Sequence, residues 1–221
     1  MYALYTLLLG FAVLCYLPVF AWRRLISGGN APGLAQRFGR YGADIPPGPR
    51  CWIHAVSVGE AATAVPLVEE IRRRRPRLGI VLTTVTPTGA RVVLNRLNDQ
   101  VTHRYFPFDV PGPVRRALDA VRPHFFIAME TEIWPNFLLA LHRRGVPSMI
   151  VNGRLSDRSF RRYRLIRFFM HRVLSHVTIF AMQSAEDARR VIALGAPAER
   201  VRVTGNLKGD AAPADGASEP V

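Results

Sequence analysis

The feature that most constrains the fold is an alternation that runs from Arg50 to Thr204. Short, continuous apolar runs alternate with segments whose apolar residues recur at helical spacing. Continuous apolar runs are typical of strands that are buried on both faces, and such strands form parallel sheets covered by helices. The pattern therefore predicts a doubly wound α/β domain with a parallel, Rossmann-like sheet. The predicted strands are 51–56, 80–85, 103–106, 125–129, 148–151, 177–182 and 201–204, and the predicted helices are 60–75, 88–97, 114–121, 133–144, 156–174 and 184–194.

The N-terminal segment is apolar and precedes this domain. Residues 1–22 contain no charged side chain, and Arg23 and Arg24 follow directly. About 20 apolar residues suffice to cross a bilayer, and basic residues favour the cytoplasmic side. We predict that residues 1–24 form a membrane anchor helix with the rest of the chain on the cytoplasmic face. Because Pro18 interrupts the run, a helix lying in the membrane interface is the alternative.

Two further segments complete the predicted organisation. Residues 25–49 are rich in glycine and proline, which predicts a connector that lets the anchor and the domain at 50–209 orient separately. Residues 210–221 are small, acidic or proline, without periodicity, which predicts a disordered tail.

The charge balance indicates a polyanionic neighbour. The formal net charge is +14, which suits nucleic acid, an anionic membrane surface or a phosphorylated lipid. No nucleic-acid-binding module is recognisable, so we expect no nucleic-acid partner. Segment 159–172 mixes arginines with large apolar residues, which suits a membrane surface or an anionic lipid; an ordinary covering helix is the alternative. Cys15 and Cys51 lack partners at metal-ligand spacing, so neither a zinc site nor a disulfide is expected.

Ligands of doubly wound sheets bind beyond the carboxyl ends of the strands. Hydroxyls, carboxylates, amides and two cations follow the predicted strands there. We assign the following residues to substrate binding: Ser57, Gly59, Thr88, Gly89, Glu132, Arg154 and Asn206. Three charged residues at the same edge, Glu60, Glu130 and Lys208, are further candidates for the site.

The two glutamates each have a structural alternative. Glu60 enters a helix behind a glycine, where the helix dipole and backbone N–H groups favour a carboxylate, but a glutamate there also caps helices. Glu130 ends an apolar strand, where an ion pair with an arginine would be an ordinary role. Lys208 is the single lysine in the sequence, which suggests a position that requires an ammonium group.

Five stretches together resemble a known family. They are HAVSVGE at 54–60, TTVTPTG at 83–89, METEIWPN at 129–136, NGRLS at 152–156 and VTGNLK at 203–208. In this order and spacing they resemble the bacterial 3-deoxy-D-manno-octulosonic acid (Kdo) transferases of lipopolysaccharide biosynthesis. The resemblance extends to about Lys208, and Gly153 departs mildly from the alanine more usual in the family.

The resemblance implies a two-domain glycosyltransferase of the GT-B type at the inner membrane. The N-terminal domain receives a lipid A precursor such as lipid IVA, and the C-terminal domain binds the donor CMP-Kdo. The family is expected to work without a metal or other cofactor and to invert the anomeric centre. Glu60 corresponds to the general base, and Glu130 and Lys208 correspond to groups that stabilise the transition state. Because the donor-binding domain is absent from this chain, the alternatives are the acceptor half of a split enzyme, completed by a separate C-terminal domain, and a non-catalytic, membrane-bound lipid-binding remnant.

Overall fold

The computed structural model describes residues 1–26, 33–42 and 44–207. Seven strands form one parallel sheet in the order β3-β2-β1-β4-β5-β6-β7, which confirms the predicted doubly wound sheet. The strands are β1 (Arg50–His54), β2 (Gly79–Thr84), β3 (Thr102–Tyr105), β4 (Phe125–Met129), β5 (Ser148–Gly153), β6 (Ile179–Met182) and β7 (Val201–Val203). The helices are α1 (Tyr2–Ile26), α2 (Leu34–Arg37), α3 (Val58–Arg74), α4 (Pro87–Leu97), α5 (Pro111–Val121), α6 (Pro135–Arg143), α7 (Asp157–Leu165), α8 (Arg167–Leu174) and α9 (Ala185–Ala193).

The helices divide unequally between the two faces of the sheet. Helices α5, α6, α8 and α9 pack against one face, here called the α6 face, whose core contains Trp52, Phe126 and Phe180. Helices α3 and α4 pack against the other, here called the α3 face, whose core contains Ile53, Leu82 and Ile127. Alternation of side chains along each strand sends neighbouring residues to opposite faces.

Hydroxyl side chains define where several helices begin. Ser57, Thr86, Ser156 and Ser184 are the N-cap residues of α3, α4, α7 and α9, and each accepts a backbone N–H from three residues further on. Such caps satisfy one of the backbone donors left without a partner in a first helical turn. Because each of these helices directly follows a strand, their first turns lie at the carboxyl edge of the sheet.

The predicted long helix at 156–174 is wrong in one respect, because it is two helices. Ile166 separates α7 from α8 with φ −116° and ψ 29°, outside the helical region. The break divides the basic segment between a helix without buried residues, α7, and α8, which buries Phe169 and Met170. Leu165, Ile166 and Phe168 remain exposed at the junction.

Helix α1 is attached to the domain at its N-terminal end. Tyr2 and Tyr5 pack edgewise or tilted against Phe169 of α8, at centroid distances of 5.2 and 5.9 Å. The helix continues through Pro18 to Ile26. Among the described residues, no helix is both long and apolar enough to span a membrane. The expectation that α1 and the domain orient separately is wrong for these N-terminal turns, because Tyr2 and Tyr5 pack against the core of the α6 face.

The described part of the connector also contacts the domain. Gln36 accepts the backbone N–H of Tyr105 on the edge strand β3, at 2.8 Å. Arg37 donates to the carbonyl of Val85, and its guanidinium lies 4.8 Å from the centre of the Tyr105 ring. These contacts cover part of an otherwise open strand edge. Residues 27–32 and the tail predicted at 210–221 lie outside the described residues.

Candidate active site

The strand order places a topological switch point between β1 and β4. On one side of it, β1 leads through α3 to β2 and then through α4 to β3. On the other side, β4 leads through α6 to β5, and the chain continues to β6 and β7. In open α/β sheets the ligand crevice forms outside the carboxyl ends of strands at such a point. The first turn of α3, which follows β1, carries Glu60, and the loop after β4 carries Glu130 and Glu132. The predicted acidic residues therefore come from the two segments that border this crevice.

The carboxylate of Glu60 is held by the turn that precedes α3. Its Oε2 accepts the backbone N–H of Val56 at 2.8 Å, and its Oε1 accepts the hydroxyl of Ser57 at 2.9 Å. Ser57 in turn accepts the backbone N–H of Glu60, so the pair forms a reciprocal cap. The capping role considered from the sequence is therefore present. It does not exclude chemistry, because each carboxylate oxygen accepts one bond here and retains a lone pair.

Burial and neighbouring charge act on the same carboxylate. The side chain of Glu60 is 6% exposed. Burial raises the pKa of Glu60, the hydrogen bonds from Val56 and Ser57 lower it in part, and the charge of Glu130 raises it. A carboxylate whose pKa is moved toward neutrality is a better proton acceptor than an ordinary exposed glutamate.

Glu132 lies close enough to the other two carboxylates to respond to their charge. Burial and then the charges of Glu60 and Glu130 raise its pKa to about 7, against the Trp134 side chain, which lowers it in part. Glu130 has a left-handed backbone with φ 55°, and its N–H donates to the carbonyl of Val151 at 2.8 Å. Within the described residues Glu130 makes no ion pair, so the structural alternative for this residue is not formed there. No three His, Cys, Asp or Glu side chains in the described ranges are placed to hold a metal ion.

Two stacked rings, those of His54 and Phe106, lie beside the turn that follows β1. His54 is fully buried, and burial lowers the pKa of its imidazole to about 3. Its ring stacks on Phe106 at 3.8 Å, and its Nδ1 lies 3.1 Å from the carbonyl of Thr83. The uncharged imidazole leaves the acidic residues as the charged groups at this end of β1.

Thr88 and Gly89 lie at the start of α4, next to the β1 loop. Gly89 donates its N–H to Thr86 at 3.0 Å, and a Cβ at Gly89 would come within 3.4 Å of the backbone of Ser57. Gly89 is thus needed for the close approach of two turns. Thr88 is exposed, with its hydroxyl 3.3 Å from that of Thr86. Of the two, Thr88 is the residue whose position leaves it open to a ligand.

The end of β5 and the residue after it form hydrogen bonds with the loop after β4 and with the segment after β7. Arg154 donates its backbone N–H to Thr131 at 3.0 Å, and its side chain is exposed. Asn152 adopts φ 57°, and its Oδ1 accepts the N–H of Leu207 at 3.1 Å. Its buried Nδ2 has no hydrogen-bond partner in the part of the chain that the structure describes. Asn206 is exposed beside this contact, and Lys208 lies outside the described residues.

Asp109 is a buried residue to which the sequence analysis gave no role. It accepts the hydroxyl of Tyr5 at 2.9 Å and the backbone N–H groups of Asn136 and Phe137 at 3.0 and 2.7 Å. Asn136 also pairs with Thr6 of α1. Asp109 therefore joins α1 to the first turn of α6. A lone aspartate after a strand gives no sequence signal for such a contact, because its partner is more than 100 residues away.

Comparisons with known proteins agree with this arrangement. The model of the family described as 3-deoxy-D-manno-octulosonic-acid transferase (kdotransferase) matches residues 32–211. A Haemophilus influenzae 3-deoxy-D-manno-octulosonic acid transferase is 42% identical over 80% of this chain. One from Bordetella pertussis is 37% identical over 94% of it. The structure is a doubly wound α/β domain with acidic residues at its switch point. The chain belongs to the Kdo transferase family, of which it represents the N-terminal part.

The chain spans about half the length of the curated relatives it matches. The matched share is 42% of the H. influenzae protein and 50% of the B. pertussis protein. Among solved structures, a UDP-GlcNAc 2-epimerase from Neisseria meningitidis aligns with a TM-score of 0.52 at 11% identity, covering 72% of this chain and 47% of that one. At that identity the likeness concerns the fold alone.

Proposed function

We propose that this chain is the acceptor-binding half of an enzyme that transfers Kdo from CMP-Kdo to a lipid A precursor, lipid IVA, with Glu60 as the general base. The observation that carries the proposal is the position of Glu60 at the switch point of a Kdo transferase domain. There its carboxylate is oriented by Ser57 and Val56 and its pKa is raised. The remaining half of the relatives would supply the donor site.

The proposed reaction needs one proton acceptor and stabilisation of two developing charges. The Glu60 carboxylate takes the proton of a sugar hydroxyl on the acceptor. The hydroxyl oxygen then bonds to the anomeric carbon of Kdo with inversion, while the bond from that carbon to the phosphate oxygen breaks and CMP leaves with the electron pair. Glu130 would stabilise the cationic sugar, and Lys208 would stabilise the departing phosphate. No metal or other cofactor takes part in this scheme.

The acceptor would be held by hydroxyl, amide and guanidinium groups around the crevice. The proposed contacts are Ser57, Gly59, Thr88, Gly89, Glu132, Arg154 and Asn206. A phosphorylated lipid suits the net charge of +14, because arginines bind phosphate groups well. Arg154 is exposed, and its backbone N–H donates to Thr131 in the loop after β4, so it is the first candidate for a lipid phosphate.

Helices α1, α7 and α8 would form the membrane-facing side at the cytoplasmic leaflet of the inner membrane. Leu4, Leu7, Leu8, Phe11 and Leu14 are more than 60% exposed and recur at helical spacing along α1. Leu165 and Phe168 add apolar side chains on α7 and α8, beside several exposed arginines. Apolar side chains with arginines around them suit an anionic lipid surface.

Two alternatives to transfer by this chain alone are binding of the lipid acceptor without sugar transfer, and transfer only together with a separately supplied donor-binding half. These alternatives predict different products from the same assay.

The test is product formation from CMP-Kdo and lipid IVA, read by mass spectrometry. The chain is assayed by itself and as a chimera in which its residues 1–211 are joined to the part of the H. influenzae relative that follows the matched segment. Glu60→Gln is expected to abolish the product, and Glu69→Gln, exposed on the same helix, to leave it unchanged. If the chimera forms the product and the chain by itself does not, the chain is a half that depends on a donor-binding half for transfer. A chimera that melts cooperatively and binds lipid IVA but forms no product would overturn the catalytic proposal and leave lipid binding.

A further inference from the structure

Two neighbouring strands of the sheet end with the same backbone conformation at the candidate site. The register of β4 and β5 pairs Met129 with Val151, so the next residues along the two strands, Glu130 and Asn152, are neighbours at the carboxyl edge. The N–H of Glu130 donates to the carbonyl of Val151 at 2.8 Å, so the pairing of the strands extends to Glu130. Glu130 and Asn152 both have a left-handed backbone, with φ 55° and 57°. Residues other than glycine adopt this conformation rarely, and such residues concentrate at functional sites.

The carboxamide of Asn152 has one polar atom paired and one without a partner. Asn152 is 1% exposed. Its Oδ1 accepts the N–H of Leu207 at 3.1 Å, and its buried Nδ2 has no hydrogen-bond partner among the described residues. The orientation of the amide is fixed, because exchanging the two atoms would place an N–H2 group against the N–H of Leu207. A buried donor without a partner costs free energy, so the N–H2 group of Asn152 needs an acceptor.

The backbone acceptors next to this amide already have donors. The carbonyl of Asn152 accepts the side chain of Gln183 at 3.0 Å, and the carbonyl of Gly153 accepts the backbone N–H of Gln183 at 2.9 Å. Glu130, the neighbour on β4, carries a carboxylate and forms no ion pair within the described residues. Because neighbouring strands lie about 4.8 Å apart, a glutamate side chain is long enough to bring its carboxylate to the Asn152 amide. Glu130 is therefore the acceptor that the strand pairing offers.

We propose that Asn152 is a positioning residue that joins the two oppositely charged groups of the proposed reaction. Its N–H2 group donates to the carboxylate of Glu130 when that side chain turns toward β5. Its Oδ1 fixes Leu207, the residue before Lys208. This role rests on the proposed function, in which Glu130 stabilises the cationic sugar and Lys208 stabilises the departing phosphate.

The chemistry of the position favours an uncharged donor. A lysine or arginine at residue 152 would form an ion pair with Glu130 and cancel the negative charge that the cationic sugar needs beside it. A carboxylate there would repel Glu130. A carboxamide orients the Glu130 carboxylate without neutralising it and has a second atom for the backbone N–H of Leu207. Asparagine is also among the residues that tolerate a left-handed backbone best.

Asn152→Asp separates the two halves of the carboxamide. It keeps an oxygen for the N–H of Leu207 and replaces the donor by a carboxylate oxygen. In the chimera, kcat for Kdo transfer to lipid IVA should fall about tenfold or more, the factor expected for loss of one hydrogen bond to a charged group, with little change in KM. Asn98→Asp is the matched control, because Asn98 is exposed at the C-terminal end of α4, has a positive φ of 32° and changes the net charge equally. It should keep the parent kcat.

Combination with Glu130→Gln tests whether Asn152 acts through Glu130. In that background Asn152→Asp should cause little further loss of kcat, because the carboxylate that the amide orients is already absent. Effects of the two substitutions that multiply would mean that Asn152 acts on the substrate or the fold directly, and would overturn the proposal. A parent-like kcat for Asn152→Asp would also overturn it.

Thermal unfolding of the 221-residue chain gives the same comparison without any transfer, so its failure is distinct from failure of the proposed function. Asn152→Asp should lower the melting temperature by several degrees, because two carboxylates then face each other across β4 and β5. Adding Glu130→Gln should recover most of that loss, since the introduced amide can donate to the introduced carboxylate. Equal losses with and without Glu130→Gln would contradict the contact. Recovery in the chain together with a chimera that transfers no Kdo would confirm the contact and overturn the proposed function.

Discussion

The two faces of the sheet differ in how completely this chain covers them. The α6 face is closed by four helices and by the N-terminal turns of α1, and its side chains are buried out to β7. The α3 face is closed by two helices and is open from β5 onward. The difference shows that one chain can build a complete core on one side of a sheet and leave the other side open beyond the middle strands. The acidic crevice lies at the sheet edge between the two.

The largest expected effect comes from neighbouring residues of β6 that point to opposite faces. Phe180 is fully buried on the α6 face, and Ile179 is 41% exposed on the α3 face. Phe180→Ala should lower the free energy of unfolding by about 3–5 kcal/mol, because it removes a buried ring and leaves a cavity. Ile179→Ala should cost less than about 1 kcal/mol, since much of its surface is already hydrated.

Urea unfolding of the 221-residue chain measures both free energies. Similar losses for the two variants would mean that the α3 face is covered in this chain, and the comparison between the faces would fail.

The next effect concerns Asp109, which joins α1 to the first turn of α6 on the α6 face. Burial raises the pKa of Asp109 from its usual value near 4 to about 7, against the donors that lower it. The folded state therefore binds this proton more tightly than the unfolded state. Stability should be greatest below about pH 4, fall as the pH rises toward 7 and then level off. The loss should be about 2–4 kcal/mol, because one pKa unit corresponds to about 1.4 kcal/mol.

Unfolding free energies at pH 4.5 and pH 8 measure the total loss, and Asp109→Asn should remove the share that Asp109 contributes. Glu132, whose pKa is also raised to about 7, contributes in the same direction and remains in the variant. Asp119→Asn is the matched control, because Asp119 is an exposed carboxylate paired with Arg144. An Asp109→Asn variant with the same pH dependence of stability as the parent would show that the Asp109 carboxyl does not titrate in this range.

The sheet was predictable because the signal for each strand is local. Continuous apolar runs identified all seven strands, and the strand ends located the acidic loops. The break at Ile166 was not predictable, because the apolar and basic pattern continues through it. The attachment of α1 was missed because the contact of Tyr5 with Asp109 depends on tertiary structure, which periodicity does not report.

The site was predictable in its chemistry and less so in its geometry. The sequence identified Glu60, Glu130 and Glu132, and the structure brings their loops to one switch point. It gave no indication that Gly89 serves the packing of two turns, or that Asn152 holds Leu207. Both roles depend on the approach of segments distant in sequence, and neither residue type specifies its partner.

Two serine caps with the same hydrogen-bond pattern, one at the candidate site and one on the α6 face, can be compared. Ser57 and Ser184 each cap a helix and donate a hydroxyl hydrogen to the acidic residue three positions later, Glu60 and Asp187. Ser57→Ala and Ser184→Ala should each cost about 1 kcal/mol of stability. Ser57→Ala should also lower Kdo transfer by the chimera about tenfold or more, because it removes a hydrogen bond of about 1.5 kcal/mol or more that orients the charged base.

Thermal unfolding and the mass-spectrometric assay separate the two effects of each variant. Ser57→Thr, which keeps a hydroxyl, should restore most of the transfer. Equal transfer by Ser57→Ala and Ser184→Ala would mean that the cap serves the fold alone, and that Glu60 does not need Ser57 for its role.

The smallest effect is on stability and concerns two glycines. It tests whether Gly59 leaves room for a ligand, whereas Gly89 allows close packing of two turns. A Cβ at Gly59 would meet no atom nearer than the Ser57 hydroxyl oxygen at 3.9 Å, so Gly59→Ala should leave the chain as stable or up to about 1 kcal/mol more stable. At Gly89 a Cβ would approach Thr86 to 3.0 Å, so Gly89→Ala should destabilise. If the acceptor approaches the backbone at Gly59, Gly59→Ala should raise the KM for lipid IVA without loss of stability. An unchanged KM would remove Gly59 from the substrate-binding residues and leave the acceptor to the β4 and β5 loops, whereas a loss of stability would mean that the turn before α3 is packed more tightly than the structure indicates.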